Sequence, residues 1–409
     1  MERETSFPKD QIKVLLLENI HPEAHRAFKG EGYAVETEAR SLGEEELRER
    51  IGDVFILGIR SKTHLGKPLF EESRKLIAIG AFCIGTEQID IRGANRVGAA
   101  VFNAPFSNTR SVAELALGQM IMASRGIFEK NNQMHQGTWN KVSPDASELR
   151  GKTLGIIGYG KIGSQISVLT ESLGMQVVFY NTSEVLSLGN AKKINTMEEI
   201  LENSDIVSVH VSGKPSNRNL ISAEQFQIMR SEAIFINLSR GYVVDLEALS
   251  YFLKSGKLKG AAIDVFPDEP QSDNEEFHSV LQEIPNVILT PHIGGSTREA
   301  QVDIARFVSG KIINFVNSGD TQLSVNYPNI QLPSQADSHR FLHLHRNVPG
   351  IMARINSILA EREINILGQY LQTEEELGYV ITDVNKQYSK GVISDLKRVP
   401  ETIKFRVLY

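Results

Sequence analysis

The chain has 409 residues, enough for two or three domains, and its 41% hydrophobic and 23% charged content suits a soluble globular protein with an ample core. A formal charge of −6, not gathered into long blocks, speaks against nucleic acid, and a single cysteine excludes a disulfide framework or a cysteine-based metal cluster. The polar N-terminus has no apolar signal core and no stretch approaches membrane-spanning length, so the expected setting is the cytoplasm, with no membrane contact.

Residues 12 to about 105 alternate short apolar runs with helical patterns. Val14-Leu15-Leu16-Leu17, Val54-Phe55-Ile56-Leu57 and Leu76-Ile77-Ala78-Ile79 read as buried strands, and Val101-Phe102 closes the series. The alternation predicts α/β structure on a parallel sheet. Cys83, in an apolar run from Ala78 to Ile84, reads as a small buried hydrophobe rather than a nucleophile.

A second α/β run covers about 108 to 294. Thr153-Leu154-Gly155-Ile156-Ile157 reads as a buried strand, residues 162 to 173 have helical spacing, and Gln176-Val177-Val178-Phe179-Tyr180 reads as the next strand. Between the first two lies Gly158-Tyr159-Gly160-Lys161-Ile162-Gly163. In that context one glycine makes the tight turn, one lets backbone approach a pyrophosphate, and one allows close helix–strand packing. The N–H groups opening the helix then face the phosphates, so a dinucleotide site is predicted. Further strands are Ile206-Val207-Ser208-Val209-His210, Ala233-Ile234-Phe235-Ile236-Asn237, Gly260-Ala261-Ala262-Ile263-Asp264 and Val287-Ile288-Leu289-Thr290. Ser111 with Glu114, and Ser296 with Glu299, have capping-box spacing at the starts of two long helices. Residues 328–338 are polar with two prolines and suit a linker. Residues 339–409 then follow the order strand, helix, strand, strand, helix, strand, a small ferredoxin-like pattern.

Chemistry on such a sheet is expected at the carboxyl ends of strands. Three segments stand there: Asn237-Leu238-Ser239-Arg240-Gly241, Asp264-Val265-Phe266-Pro267-Asp268-Glu269-Pro270, and Thr290-Pro291-His292-Ile293-Gly294-Gly295. Taken singly, Arg240 reads as a surface ion-pair partner, Glu269 as a solvated loop acid and His292 as a satisfied loop histidine. Together at strand ends they match the needs of hydride transfer from a secondary alcohol to a nicotinamide. Histidine takes the hydroxyl proton, a carboxylate behind it stabilises the imidazolium, and arginine holds a substrate carboxylate bidentately. The implied substrate is a 2-hydroxy acid, and no metal is needed.

These segments resemble the D-2-hydroxyacid dehydrogenase family, in its form with a C-terminal ACT domain. The likeness covers nearly the whole chain and includes Phe82-Cys83-Ile84-Gly85-Thr86, the stretch Phe102-Asn103-Ala104-Pro105 through Ser111-Val112-Ala113-Glu114, and Trp139-Asn140-Lys141. The resemblance implies two doubly wound, Rossmann-like parallel-sheet lobes and a ferredoxin-like βαββαβ domain. Its expected domains are a discontinuous substrate-binding domain (1–107 and 295–330), a dinucleotide-binding domain (108–294) and a regulatory ACT domain (339–409). It implies NAD as cofactor, held by Gly158, Gly160, Lys161, Ile162, Gly163, Asn181, Leu238, Ser239, Arg240, Asp264, His292, Gly294 and Gly295. His292 would be the acid/base, Glu269 its partner, and Arg240 the carboxylate anchor. Arg60, Ser61, Asn108 and Lys141 would surround a phosphorylated substrate, 3-phospho-D-glycerate, oxidised to 3-phosphohydroxypyruvate at the start of L-serine synthesis. The resemblance further implies a homotetramer in which Trp139, the only tryptophan, reaches a neighbouring subunit. Two other readings are a dehydrogenase for another 2-hydroxy acid, such as 2-hydroxyglutarate, and a non-catalytic nucleotide-sensing scaffold.

One position departs from the family pattern. Where an aspartate usually meets the adenosine ribose, this chain has Asn181 followed by Thr182. A neutral amide in place of a charged acceptor costs about fivefold in affinity and removes the repulsion of a 2′-phosphate. In the C-terminal region, His345-Arg346-Asn347-Val348-Pro349-Gly350 and Glu363-Ile364-Asn365-Ile366 offer amides beside a glycine turn. They read either as a site for a zwitterion such as an amino acid or as polar turns of a dimerisation domain. The resemblance implies L-serine as a feedback inhibitor there, touching His345, Asn347 and Asn365.

Overall fold

The computed structural model describes residues 7–142, 144–270, 275–333, 338–385 and 391–408. They form two compact units, Met1–Pro105 with Gln301–Tyr409, and Phe106–Ala300. Part of the expected linker, 334–337, lies outside the described residues.

The first unit begins with β1 (Lys13–Leu16), α1 (Pro22–Gly30), β2 (Ala34–Thr37), α2 (Glu44–Ile51), β3 (Ile56–Ile59), α3 (Lys67–Glu72), β4 (Ala78–Ala81), α4 (Ile91–Val97) and β5 (Ala100–Phe102). All pair in parallel, in the order β2-β1-β3-β4-β5. Strands β3, β4 and β5 are buried along their whole length, as a parallel sheet covered on both faces requires, and so they read as unbroken apolar runs. Strand β2 was not predicted. It is a largely exposed edge strand with the sequence Ala-Val-Glu-Thr, which carries no burial pattern to read.

The second unit holds α5 (Thr109–Arg125), α6 (Ile127–His135), β6 (Thr153–Ile157), α7 (Lys161–Glu171), β7 (Gln176–Tyr180), β8 (Lys192–Lys193), α8 (Met197–Asn203), β9 (Ile206–Val209), α9 (Ala223–Ile228), β10 (Ala233–Asn237), α10 (Leu246–Lys254), β11 (Leu258–Ile263) and β12 (Val287–Leu289). Seven parallel strands run in the order β12-β11-β10-β9-β6-β7-β8. The chain winds outward from β6 to β8, then returns to the other side of β6 with β9. The order therefore reverses between β6 and β9, and the crevice outside their carboxyl ends is where open α/β sheets take ligands. The two-residue strand β8 was also missed, for the same reason as β2.

The long helix α11 (Arg298–Ser318) carries the chain back to the first unit. Neither capping box forms as expected. Asn108 is the N-cap of α5, Ser111 lies inside that helix, and Glu114 pairs with Arg110 four residues back (Nε to Oε1, 2.6 Å). At α11 the cap is Thr297, whose Oγ1 accepts from the Ala300 N–H at 3.2 Å. A Ser-x-x-Glu spacing also arises within a helix when the glutamate serves an i, i+4 ion pair.

The C-terminal segment forms β13 (Ser338–Arg346), α12 (Ile351–Glu361), β14 (Ile366–Thr373), β15 (Leu377–Asn385), α13 (Gly391–Lys397) and β16 (Thr402–Val407). Its antiparallel sheet has the order β14-β15-β13-β16, the ferredoxin-like arrangement expected. One face packs Phe341, Val380, Val384 and Phe405 on Ile351, Ile355 and Leu396 of the helices. The other face is apolar too. Leu342, Leu344, Tyr379 and Ile381 join Phe102 of β5 and Ile304, Val308 and Ile312 of α11 in one core. The small domain is therefore built into the first unit rather than hung from it. Polar bonds complete the junction. Buried Arg340 donates to both Asp383 oxygens (2.7 and 2.8 Å) and to the carbonyls of Ser318 (2.9 Å), Leu332 (3.0 Å) and Pro333 (2.8 Å). Arg406 donates to Val316 O and Tyr379 to Gly319 O, both at 2.9 Å. The Ser318 and Val316 carbonyls in the last turn of α11 are thus met by cations, and the Gly319 carbonyl just past it by a phenol.

Candidate active site

The three glycines of the loop after β6 have three separate causes. Gly158 has φ +96°, and a Cβ there would lie 2.6 Å from the His210 carbonyl oxygen. A Cβ on Gly163 would lie 2.5 Å from Gly158 O and 3.0 Å from Ile156 Cγ2, so this glycine lets α7 close onto β6. Gly160 needs neither excuse: its φ is −85° and a Cβ would meet nothing within 4 Å. It keeps open space beside the first turn of α7, which has no side-chain cap. That opening at an uncapped helix N-terminus is of the kind that takes an anion, and the backbone N–H groups of Lys161, Ile162 and Gly163 are the ones that could hold it. Lys161 lies over the Phe106 ring, 5.3 Å from its centroid.

The loop is clamped from the next strand. Asn181, just past β7, accepts from the Tyr159 N–H at 3.0 Å and donates to Ser183 O (3.1 Å) and Ser183 Oγ (2.9 Å). The Tyr159 ring stacks on Phe179 with centroids 3.8 Å apart. On the other side, His210 donates its N–H to Ile157 O at 2.8 Å, and its Nε2 is 2.7 Å from Ser208 Oγ. Burial pushes the His210 imidazole down to about 3, so it packs as a neutral group.

Past β10, buried Asn237 moulds the turn that presents Leu238, Ser239 and Arg240. Its Oδ1 accepts from Ser239 N–H (3.0 Å) and Ser239 Oγ (2.7 Å), and its Nδ2 donates to Arg240 O (3.1 Å). A Cβ on Gly241 would lie 1.9 Å from the Phe266 carbonyl carbon. Only glycine allows the Arg240 turn to lie against the loop that follows β11.

Past β11, Asp264 is 1% exposed. Its carboxylate accepts from Thr290 Oγ1 (2.6 Å), Ile293 N–H (3.0 Å) and Gly294 N–H (2.9 Å), and its carbonyl from His292 N–H (2.8 Å). Burial still pushes its carboxyl above the ordinary value, against those donors. This clamp fixes the His292 loop, and His292 itself has φ +52°, a strained backbone for a non-glycine residue. His292 Nδ1 is 2.7 Å from Glu269 Oε2, while Glu269 Oε1 accepts from the Phe266 N–H at 3.1 Å. The Glu269 hydrogen bond and charge raise the imidazole above its ordinary value, despite burial. Burial works to raise Glu269, but the bond and charge of His292, the Phe266 N–H and the Arg240 charge hold it below the usual carboxylate range. The Arg240 charge acts on both members of the pair.

Asn108 joins this loop: a Cβ on Gly295 would lie 2.3 Å from Asn108 Nδ2. Lys141 is exposed on the segment after α6 and makes none of these contacts. Arg60 and Ser61 follow β3 in the first unit. Their loop is moulded by Glu18, whose carboxylate accepts from the N–H groups of Arg60 (3.1 Å), Lys62 (3.0 Å) and Thr63 (2.8 Å). Cys83 is partly buried, and burial pushes its thiol up to about 11, which removes it as a nucleophile.

In the C-terminal domain, His345 is buried in β13, with Nδ1 2.7 Å from Arg346 O and its ring against Gly378. Asn347 is exposed before α12 and donates to Glu374 O at 3.0 Å; Asn365 is exposed after it, its carbonyl accepting from Asn385 N–H at 3.3 Å. The two asparagines flank an eleven-residue helix, so they are separated by roughly 16 Å of helix length.

Comparison with known proteins agrees with this geometry. The family model described as D-isomer specific 2-hydroxyacid dehydrogenase, NAD binding domain, matches residues 117–294, and an AHAS small subunit-like ACT domain matches 341–404. The class is therefore an NAD-dependent dehydrogenase. The chain is 48% identical to D-3-phosphoglycerate dehydrogenase of Haemophilus influenzae over 100% of both chains, and 46% identical to that of Escherichia coli K12 over 99% of both. Among solved structures it is similar to a D-lactate dehydrogenase from Sporolactobacillus, with TM-score 0.65 and 27% identity over 77% of this chain and 99% of that one. The chain belongs to the D-3-phosphoglycerate dehydrogenase family.

Proposed function

We propose that this chain oxidises 3-phospho-D-glycerate to 3-phosphohydroxypyruvate with NAD, the first step of L-serine synthesis, and that L-serine acts on its C-terminal domain. The observation that carries the catalytic part is the His292–Glu269 pair, with the Arg240 charge acting on both, held at strand ends of the sheet that also carries the glycine loop. With Nδ1 donating to Glu269, the lone pair on His292 Nε2 takes the proton of the substrate C2 hydroxyl. Glu269 stabilises the imidazolium as it forms. Arg240 holds the substrate carboxylate, with Asn108, Lys141, Arg60 and Ser61 as the donors for the phosphate. When bound, NAD supplies the hydride acceptor. Asp264 keeps the His292 loop in the strained conformation that points the ring at the substrate. The test is NADH absorbance with 3-phosphoglycerate and with 2-hydroxyglutarate offered separately; turnover of the second alone would replace the substrate assignment.

The open space at Gly160 makes its own prediction. Gly160→Ala should change the melting temperature little, because the added Cβ meets nothing within 4 Å, yet weaken NAD about tenfold by intruding on the pyrophosphate approach. Calorimetric titration with NAD reads the effect, and unaltered affinity would move the pyrophosphate elsewhere.

Regulation by serine rests on the ACT domain match and on the amides at Asn347 and Asn365. Because these lie at opposite ends of α12, one small ligand touching both calls for residues from two copies. A homotetramer supplies them, and the apolar surface around Trp139 (79% exposed), Val142 and Met134 suits a second copy. Asn347→Ala or Asn365→Ala should raise the serine concentration for half-inhibition several-fold, with uninhibited turnover unchanged. An unchanged inhibition curve in both would place the serine site elsewhere.

A further inference from the structure

The end of β7 carries an arrangement that decides cofactor choice. Dinucleotide sheets that select NAD place a carboxylate about twenty residues past the glycine loop, where it accepts from the ribose hydroxyls and repels a 2′-phosphate. This chain has Asn181 there, and the orientation of its amide is fixed by the chain itself. The Tyr159 backbone N–H is a donor and can meet only Oδ1, which it does at 3.0 Å. The Nδ2 group therefore points the other way, to Ser183 O at 3.1 Å and Ser183 Oγ at 2.9 Å. Since Ser183 Oγ accepts from the amide, its own hydroxyl hydrogen is not used in that bond. Thr182 and Ser183 are both exposed. With both amide hydrogens of Asn181 spent on Ser183, the strand end offers only the neutral hydroxyls of Thr182 and Ser183, where an NAD-selective site presents an anion.

The charges nearby do not restore the repulsion. Glu184, the adjacent carboxylate, is an ion-pair partner of Lys193 on the neighbouring strand β8, so the two largely cancel. Resting on the dinucleotide reading above, we propose that Asn181 and Ser183 are specificity-determining residues, Asn181 by removing the carboxylate that would repel a 2′-phosphate and Ser183 by donating its hydroxyl to that phosphate, so that the chain binds NADP as well as NAD. The donors are neutral and no guanidinium takes part, so NAD stays the tighter ligand, by less than about tenfold.

Titration calorimetry with NAD, NADP and the fragment pair 5′-AMP and 2′,5′-ADP tests this without turnover. In the unaltered protein, NADP should bind within tenfold of NAD, and 2′,5′-ADP within tenfold of 5′-AMP. Asn181→Asp should weaken NADP and 2′,5′-ADP by tenfold or more, while NAD holds or tightens. Ser183→Ala should weaken both 2′-phosphorylated ligands about threefold to fivefold and leave NAD and 5′-AMP unchanged. Wild-type NADP affinity a hundredfold below that of NAD overturns the proposal, as does a Ser183→Ala protein with unaltered NADP affinity. If wild type binds neither dinucleotide, the dinucleotide reading fails first, and the NAD arm shows that separately.

Discussion

Replacing His292 with asparagine is expected to cut turnover by roughly a hundredfold or more, the usual worth of a positioned acid/base group, with NAD affinity little changed. The loss should appear in kcat more than in KM, because Arg240 and the phosphate donors remain. Glu269→Gln gives the finer test. In the unaltered protein the Glu269 hydrogen bond and charge raise His292 above its ordinary value. Alcohol oxidation needs the neutral imidazole, so its rate should rise as pH climbs through that raised value. Reduction of the 2-oxo acid needs the imidazolium and should fall over the same range. With the carboxylate gone the imidazole pKa drops, so both limbs should move to lower pH, and the plateau should fall because the imidazolium loses its stabilising charge. Stopped-flow NADH absorbance from pH 5.5 to 9 reads both effects. A His292→Asn protein of near-normal turnover would remove His292 from the mechanism, and an unmoved pH profile would leave Glu269 a bystander.

Why this site is legible in a sequence follows from where its parts stand. Strands β6, β10 and β11 are buried on both faces, so each ends at a visible change from apolar run to polar loop, and the residues just past them are Gly158, Arg240 and the loop to Glu269. The glycine loop announces itself because Gly158 and Gly163 answer steric needs within the fold, while at Gly160 a Cβ would meet nothing. What stays hidden is the set of side chains that mould these loops. Glu18 shapes the turn 42 residues away at Arg60, and Asp264 fixes Gly294, 30 residues on. No local pattern marks such a residue, because its partner is a backbone N–H brought close only by the sheet. The capping boxes fail for the opposite reason. Their spacing is local, but Asn108 caps α5 and leaves Glu114 to pair with Arg110, while at α11 Thr297 takes the place expected of Ser296. The junction of the C-terminal domain is an intermediate case. Residues Phe341 and Leu342 put apolar groups on both faces of β13, a hint that the second face is covered, although nothing in the pattern says by what.

That junction yields the second large effect. The Arg340 guanidinium and the Asp383 carboxylate have side chains only 7% and 0% exposed, and they meet through two nitrogens and two oxygens. Taking either partner away leaves the other charge in a site with little access to water, which costs about 3–5 kcal/mol for a buried pair. Asp383→Asn preserves shape and removes the charge, so it should destabilise by about 3 kcal/mol, with three carbonyls still holding Arg340. Arg340→Met should cost at least as much, because it strands Asp383 and also frees the Ser318, Leu332 and Pro333 carbonyls. The double variant should be markedly more stable than the sum of the two, since it leaves no unpaired charge. Urea unfolding followed by far-UV circular dichroism measures all three. The same experiment reports on architecture: since the sheet face carrying Leu342, Leu344 and Tyr379 shares its core with Phe102 and α11, loosening the clamp should lower the unfolding midpoint of the first unit and not of the C-terminal domain alone. Asp383→Asn within about 0.5 kcal/mol of the unaltered protein, the range of an ordinary surface substitution, would mean that the pair is solvated in solution and the two domains part there freely.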